Sequence, residues 1–174
     1  MWVDIWRTFL ADLDEAGWLD WEEAFVDATF MPARKRPDAG KTKRGKGTKC
    51  MAVADGQGIP LGICTASASP AEITLLEPTL VATVVTPHDG RKRLLAPKRL
   101  IADKAYDSDA HRERLAHRGI ELICPHRSNR TRPATQDGRP LRHYRKATEY
   151  RTHLCVVWKL QKVGRSLGTE YQDT

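Results

Sequence analysis

The chain is predicted to be an α/β protein, a mixed five-stranded sheet flanked by helices, on three observations. Apolar runs of strand length alternate with segments of helical periodicity. Two of those runs are joined by Asp55-Gly56-Gln57-Gly58, a turn of strong hairpin chemistry. The resulting order is helix, strand, hairpin, helix, strand, helix, strand. A three-strand meander followed by two helix–strand units builds such a sheet.

The elements follow in order. Trp2, Ile5, Trp6, Phe9, Leu10 and Leu13 recur at three- to four-residue spacing, which predicts an amphipathic helix over 2–18 with Gly17 as its stop. Phe25-Val26-Asp27-Ala28-Thr29-Phe30 is the first strand, bounded by Pro32. Residues 33–47 are basic and rich in glycine and are expected to form a mobile loop. Residues 49–54 and 59–66 are the two arms of the hairpin. Ser69-Pro70-Ala71-Glu72 has the spacing of a capping box, with Ser69 as cap and a helix to about Val84. Leu100-Ile101-Ala102-Asp103 is the next strand. Asp107-Ser108-Asp109 is expected to cap a helix that ends at Arg118-Gly119, and Ile120 to Cys124 is the last strand. Residues 126–146 are a second basic loop. Trp2, Trp6, Trp18 and Trp21 are expected to be core or partner-facing aromatics rather than platforms for bases.

Composition bounds the function. With 174 residues, 40% apolar and 29% charged, the chain supports one domain with a real core. No apolar stretch approaches a membrane span and no signal-peptide pattern opens the chain. Cys50, Cys64, Cys124 and Cys155 are scattered, which predicts free thiols in a reducing cytoplasm. The net charge of +7 is unevenly spread. Residues 1–33 hold eight acids and one base, 34–49 eight bases and one acid, and 86–146 sixteen bases and seven acids. Two basic blocks framing a neutral middle are the footprint of a polyanion, nucleic acid above all.

Asp27 and Asp103 stand out. Each is an acid within, or closing, an apolar strand, where charge is costly unless it is paired or binds a metal. Either could simply end its strand and open a turn. The strand order, however, is that of the ribonuclease H-like fold, which lays these two strands side by side. Two carboxylates so held suit Mg²⁺ or Mn²⁺, and an ion pair about 3.5–4 Å apart promotes phosphodiester displacement. Asp55, Asp107 and Asp109 read as turn and helix-cap acids. Lys104 and Tyr106 flank the second acid and could touch phosphate, and Lys43, Arg44, Lys46, Lys49, His126, Arg127, Arg130 and Arg132 are candidate DNA contacts.

Phe25 to Phe30, Gly45-Lys46-Gly47-Thr48-Lys49, Ala54-Asp55-Gly56-Gln57-Gly58-Ile59-Pro60-Leu61, Ala66 to Glu72, Leu100 to Ser108 and Gly119 to His126 resemble bacterial insertion-sequence transposases of the DDE type. The likeness spans roughly residues 1–146, in order and at family-like spacing. It implies a ribonuclease H-like catalytic domain over 1–146, two metal ions (Mg²⁺ or Mn²⁺) and Asp27 and Asp103 as first and second catalytic acids. It also implies terminal inverted repeats of double-stranded DNA as substrate, and a homodimer or an upstream-frame subunit as partner. The expected setting is the bacterial cytoplasm, at the nucleoid.

Two departures qualify that expectation. The small DNA-binding region that such proteins carry ahead of residue 2 is absent, so the chain looks like the downstream part. The third acid of the family sits in a helix opening Arg-Trp-x-Val/Ile-Glu-Arg-Thr, whereas here the text is Lys146-Ala147-Thr148-Glu149-Tyr150-Arg151-Thr152. Read one nucleotide out of frame, with suitable choices among the permitted codons, Ala147 to Leu154 can encode Arg-Arg-Asn-Ile-Glu-Arg-Thr-Cys. Residues 147–174 are therefore expected to be an out-of-frame tail that truncates the fold. Glu149 is the nearby acid that could substitute. The expected function is a DNA transposase with a defective site. The alternatives are a non-catalytic DNA-binding or dimerising fragment that interferes with the full-length enzyme, and a metal-dependent nuclease of the same fold acting on RNA–DNA hybrids or junctions.

Overall fold

The computed structural model describes residues 2–32, 40–42, 45–83, 96–136 and 141–142. Helix α1 spans Trp2–Glu15 and ends as its sequence dictates. Gly17 adopts φ 71°, and Gly17 N–H and Trp18 N–H donate to the Asp14 and Leu13 carbonyls at 3.0 and 2.9 Å. This is a Schellman closure, which needs a residue at positive φ and so favours glycine.

Strand β1 (Glu23–Pro32) lies at the centre of the sheet. On one side it pairs antiparallel with β3 (Gly45–Asp55), which pairs antiparallel with β4 (Pro60–Ser67). On the other side it pairs parallel with β5 (Arg99–Ile101), and β5 pairs parallel with β6 (Glu121–Ile123). The order β4-β3-β1-β5-β6 is the expected ribonuclease H-like mixed sheet of five strands.

A sixth strand, β2 (Gly40–Thr42), extends it within the first basic loop. It pairs with Gly45–Gly47, so that β3 begins four residues before the expected start at Lys49. Backbone pairing overrides the loop-like composition there. Residues 33–39 and 43–44 lie outside the described residues, as do 143–174 and therefore the expected tail and Glu149.

Helix α2 (Glu72–Val81) packs on β3 and β4, burying Leu76, Thr79 and Leu80. Its start differs from expectation. Ala71 is the cap, with ψ 146°, and no side chain caps the helix. Ser69 thus lies two residues upstream of the cap, and the Pro70 carbonyl between them accepts from Lys49 Nζ at 2.6 Å. Gly62 of β4 lets the end of α2 approach: a Cβ there would lie 2.9 Å from the Ala82 backbone.

The turn between β3 and β4 is built on Asp55, which is fully buried. Its carboxylate accepts from Gln57 N–H and Ile59 N–H at 3.0 and 2.7 Å, and from Asp20 N–H at 3.0 Å. The turn role expected for Asp55 is observed, and the same side chain also ties the hairpin to the segment entering β1.

Alternation along the strands gives the sheet two faces. Ala24, Val26, Met51, Val53, Leu100, Ala102, Leu122 and Cys124 join the main core with Leu10, Leu76, Leu115 and Tyr106. Phe25, Ile101 and Ile123 form a second buried cluster, against which Leu141 packs. Trp21 packs on the main core and donates from Nε1 to Asp14 at 2.7 Å, while Trp6 and Trp18 are exposed.

Candidate metal centre and its supporting network

The two aspartates are brought together by strand register. β1 and β5 pair Glu23 with Arg99, Ala24 with Leu100 and Phe25 with Ile101, a constant offset of 76 residues. Asp27 and Asp103 differ by the same 76, so each stands two residues beyond the last registered pair. Asp27 continues β1 opposite Ala52 of β3. Past β5 the backbone stays extended: Ala102 N–H donates to the Ile123 carbonyl at 2.9 Å, and Asp103 has φ −80° and ψ 177°. Period-two alternation then places both carboxylates on the side of the Phe25–Ile101 pair. Both residues are half-buried.

Asp103 opens a one-turn 3-10 helix, Lys104–Tyr106, and its Oδ1 accepts from Ala105 N–H at 2.7 Å. The strand-ending reading of this acid is observed: it closes its strand and caps the next turn, at the same offset from β1 as the registered pairs. Carboxylate oxygens on neighbouring strands are the donor set a hard divalent cation takes. Among the described residues no group of three His, Cys, Asp or Glu gathers to complete such a site.

Sequence reasoning missed the network next to this pair. Asp109 is, as expected, an acid in the first turn of α3 (Asp109–His117), but Asp107 is not its cap: the cap residue is Ser108, without a side-chain cap bond. Instead the Asp107 side chain, only 2% exposed, gathers four donors. They are Arg127 N–H and His126 Nδ1, both at 2.9 Å, and the Arg112 and Arg130 guanidiniums at 3.1 and 3.2 Å. Burial alone would push its carboxyl up. The Arg127 amide, His126 and Arg112 more than offset that and hold it down at about 2.

Asp109 accepts from Arg130 Nη2 at 2.7 and 2.9 Å and from Arg132 Nη1 at 3.4 Å, and its carboxyl is lowered chiefly by the Arg130 contact. A local capping pattern conceals such long-range partners. The legible signal is topological: Asp107 follows β5 and His126 follows β6, and these are adjacent parallel strands.

The candidate DNA contacts divide by geometry. Lys46, Lys104, Arg127 and Arg132 are exposed. Lys49 is held on the Pro70 carbonyl. Arg130 is committed to Asp107 and Asp109, and His126 bonds Asp107 through Nδ1 and takes Thr135 N–H at 3.2 Å through Nε2. Lys43 and Arg44 lie outside the described residues. Cys50, Cys64 and Cys124 are free thiols. Burial pushes Cys124 up to about 11, so it is protonated at neutral pH. Among the described residues no helix is long and apolar enough to cross a membrane.

Comparison with known proteins bears on this arrangement. The family model described as Transposase DDE domain matches residues 22–171. A Burkholderia cepacia protein described as a candidate transposase for insertion sequence element IS402 is 35% identical over 109 residues, covering 62% of this chain and 47% of its own. The chain thus spans about half the length of that relative. Among solved structures, a piggyBac transposase synaptic complex with hairpin DNA is similar at TM-score 0.45 and 12% identity, over 67% of this chain and 27% of that one. A Mos1 transposase paired-end complex with the left transposon end is similar at TM-score 0.40 and 14% identity, over 70% and 40%. The family match covers most of the chain, including both aspartates and the strands that carry them. This chain belongs to the Transposase DDE domain family.

Proposed function

We propose that the chain is the catalytic core of an insertion-sequence DNA transposase whose acid site is incomplete. Asp27 and Asp103 bind Mg²⁺ or Mn²⁺. The observation that carries this reading is their shared 76-residue offset with the β1–β5 register. When bound, the ions activate the attacking oxygen and stabilise the leaving one in phosphodiester cleavage and strand transfer. The protein's own part is to fix two carboxylates on rigid strands and to hold the DNA backbone with its basic blocks.

The partner is double-stranded DNA carrying terminal inverted repeats. A second copy, or an upstream-frame subunit supplying the recognition region, completes the assembly in the bacterial cytoplasm, at the nucleoid. The domain covers residues 1–146, and 147–174 replaces the segment where the family's third acid belongs. The supporting observation is the text Lys146 to Thr152, which lacks the Arg-Trp-x-Val/Ile-Glu-Arg-Thr opening, although the family match runs on to residue 171.

The expected result with the full chain, Mn²⁺ and terminal-repeat DNA is binding that weakens about tenfold or more between 50 and 200 mM salt. Cleavage should stay near background. Robust cleavage abolished by Asp27→Ala would overturn the defect. DNA binding with no Mn²⁺ uptake, unchanged by Asp27→Asn, would favour a non-catalytic DNA-binding fragment.

A further inference from the structure

We infer that Arg127 is a positioning residue for the second metal-binding acid, acting through the turn that carries Asp103; this rests on the metal reading above. Its guanidinium, although exposed, is turned back on the protein. Nε donates to the Lys104 carbonyl at 3.1 Å, and Nη2 donates to the Ala105 carbonyl. These are the first two carbonyls after Asp103. The Ala105 amide donates to Asp103 Oδ1, so the carboxylate is oriented by the same peptide unit whose Lys104 carbonyl accepts from Arg127 Nε.

The clamp is anchored from two sides. Arg127 N–H is fixed by Asp107 Oδ2 at 2.9 Å, and Asp107 N–H itself donates to the Lys104 carbonyl at 3.3 Å. Tyr106, fully buried, seats the far end of the turn in the core. The route runs from Asp107 to the Arg127 backbone, from the Arg127 fork to two carbonyls, and from the Ala105 amide to the Asp103 carboxylate. A fork of two charge-assisted donors fixes direction as well as distance, which a lysine ammonium does not. Groups that orient a metal ligand in this way commonly change metal affinity by 10- to 100-fold when removed.

Arg127→Ala tests this without needing catalysis. The backbone bond to Asp107 survives the substitution, so the fold and its melting temperature should stay close to the parent. Hydrogen exchange at the Ala105 amide, followed by NMR on metal-free protein, should quicken about tenfold. Mn²⁺ affinity should fall about tenfold. Arg127→Lys should recover only part of both, and Arg118→Ala, far from the turn, should change neither. The clamp is wrong if Mn²⁺ binding requires Asp103 while Arg127→Ala alters neither Ala105 exchange nor affinity. If Asp103→Asn leaves Mn²⁺ binding intact, the metal reading itself fails, and quickened Ala105 exchange would still establish the clamp on the turn.

Discussion

Asp107→Ala is expected to destabilise the chain by about 3–5 kcal/mol, read as a lowered urea midpoint. The carboxylate is 2% exposed and is the shared acceptor of Arg112 and Arg130, each only 12% exposed. Removing it leaves two nearly buried cations facing each other across a cavity, together with the Arg127 amide and His126. Unpaired buried charge is the costly part, so Asp107→Asn, which keeps the shape but not the charge, should still lose a large share. The same group sets a pH dependence. Its carboxyl lies at about 2 in the folded chain against an ordinary value of 3.8. A lowered folded value gives stability that is fully present above about 4 and is lost as pH falls through about 2. The difference corresponds to about 2 kcal/mol. The Asp107 variants should lack that acid-side loss. A destabilisation below about 1 kcal/mol would show that the network carries little energy.

The second large effect is expected at Tyr106. Its side chain is wholly buried in the main core, as the last residue of the turn that Asp103 caps. Tyr106→Ala should cost roughly 3–5 kcal/mol, because an aromatic ring is lost and a cavity remains. It should also loosen Asp103 in the population that stays folded, since Ala102 and Tyr106 are the two buried residues that bracket it. Chemical denaturation gives the first quantity, and Mn²⁺ affinity below the unfolding transition gives the second. A variant that melts early yet binds Mn²⁺ as the parent does would separate the turn's anchor from the site.

Much of the architecture was legible because strand signals here are strong and local. Apolar runs bounded by Gly, Pro and Asp gave all five main strands, and Gly17 stopped α1 where its backbone freedom is needed. The second basic loop hid its organisation, because its arginines answer to acids about twenty residues away. Caps misled in two ways. Ser69 fits a capping box, but α2 starts at Glu72 with Ala71 as its cap. Asp107 has the look of a cap, but charge burial with Arg112, His126 and Arg130 claims it. In the proposed site, the adjacency of the two strands that lead to Asp27 and Asp103 followed from strand order alone. The clamp at Arg127 did not, because a side chain folding back onto backbone carbonyls leaves no sequence periodicity.

The most direct test of the shared site is Mn²⁺ titration of the full chain, followed by EPR, with Asp27→Asn, Asp103→Asn and the double variant. If the two carboxylates hold one centre, each single change should weaken binding by tenfold or more. The double variant should then lose much less than the two losses combined, as neighbours acting on one ligand do. Binding that survives either single substitution unchanged would contradict a metal centre built by the β1–β5 register.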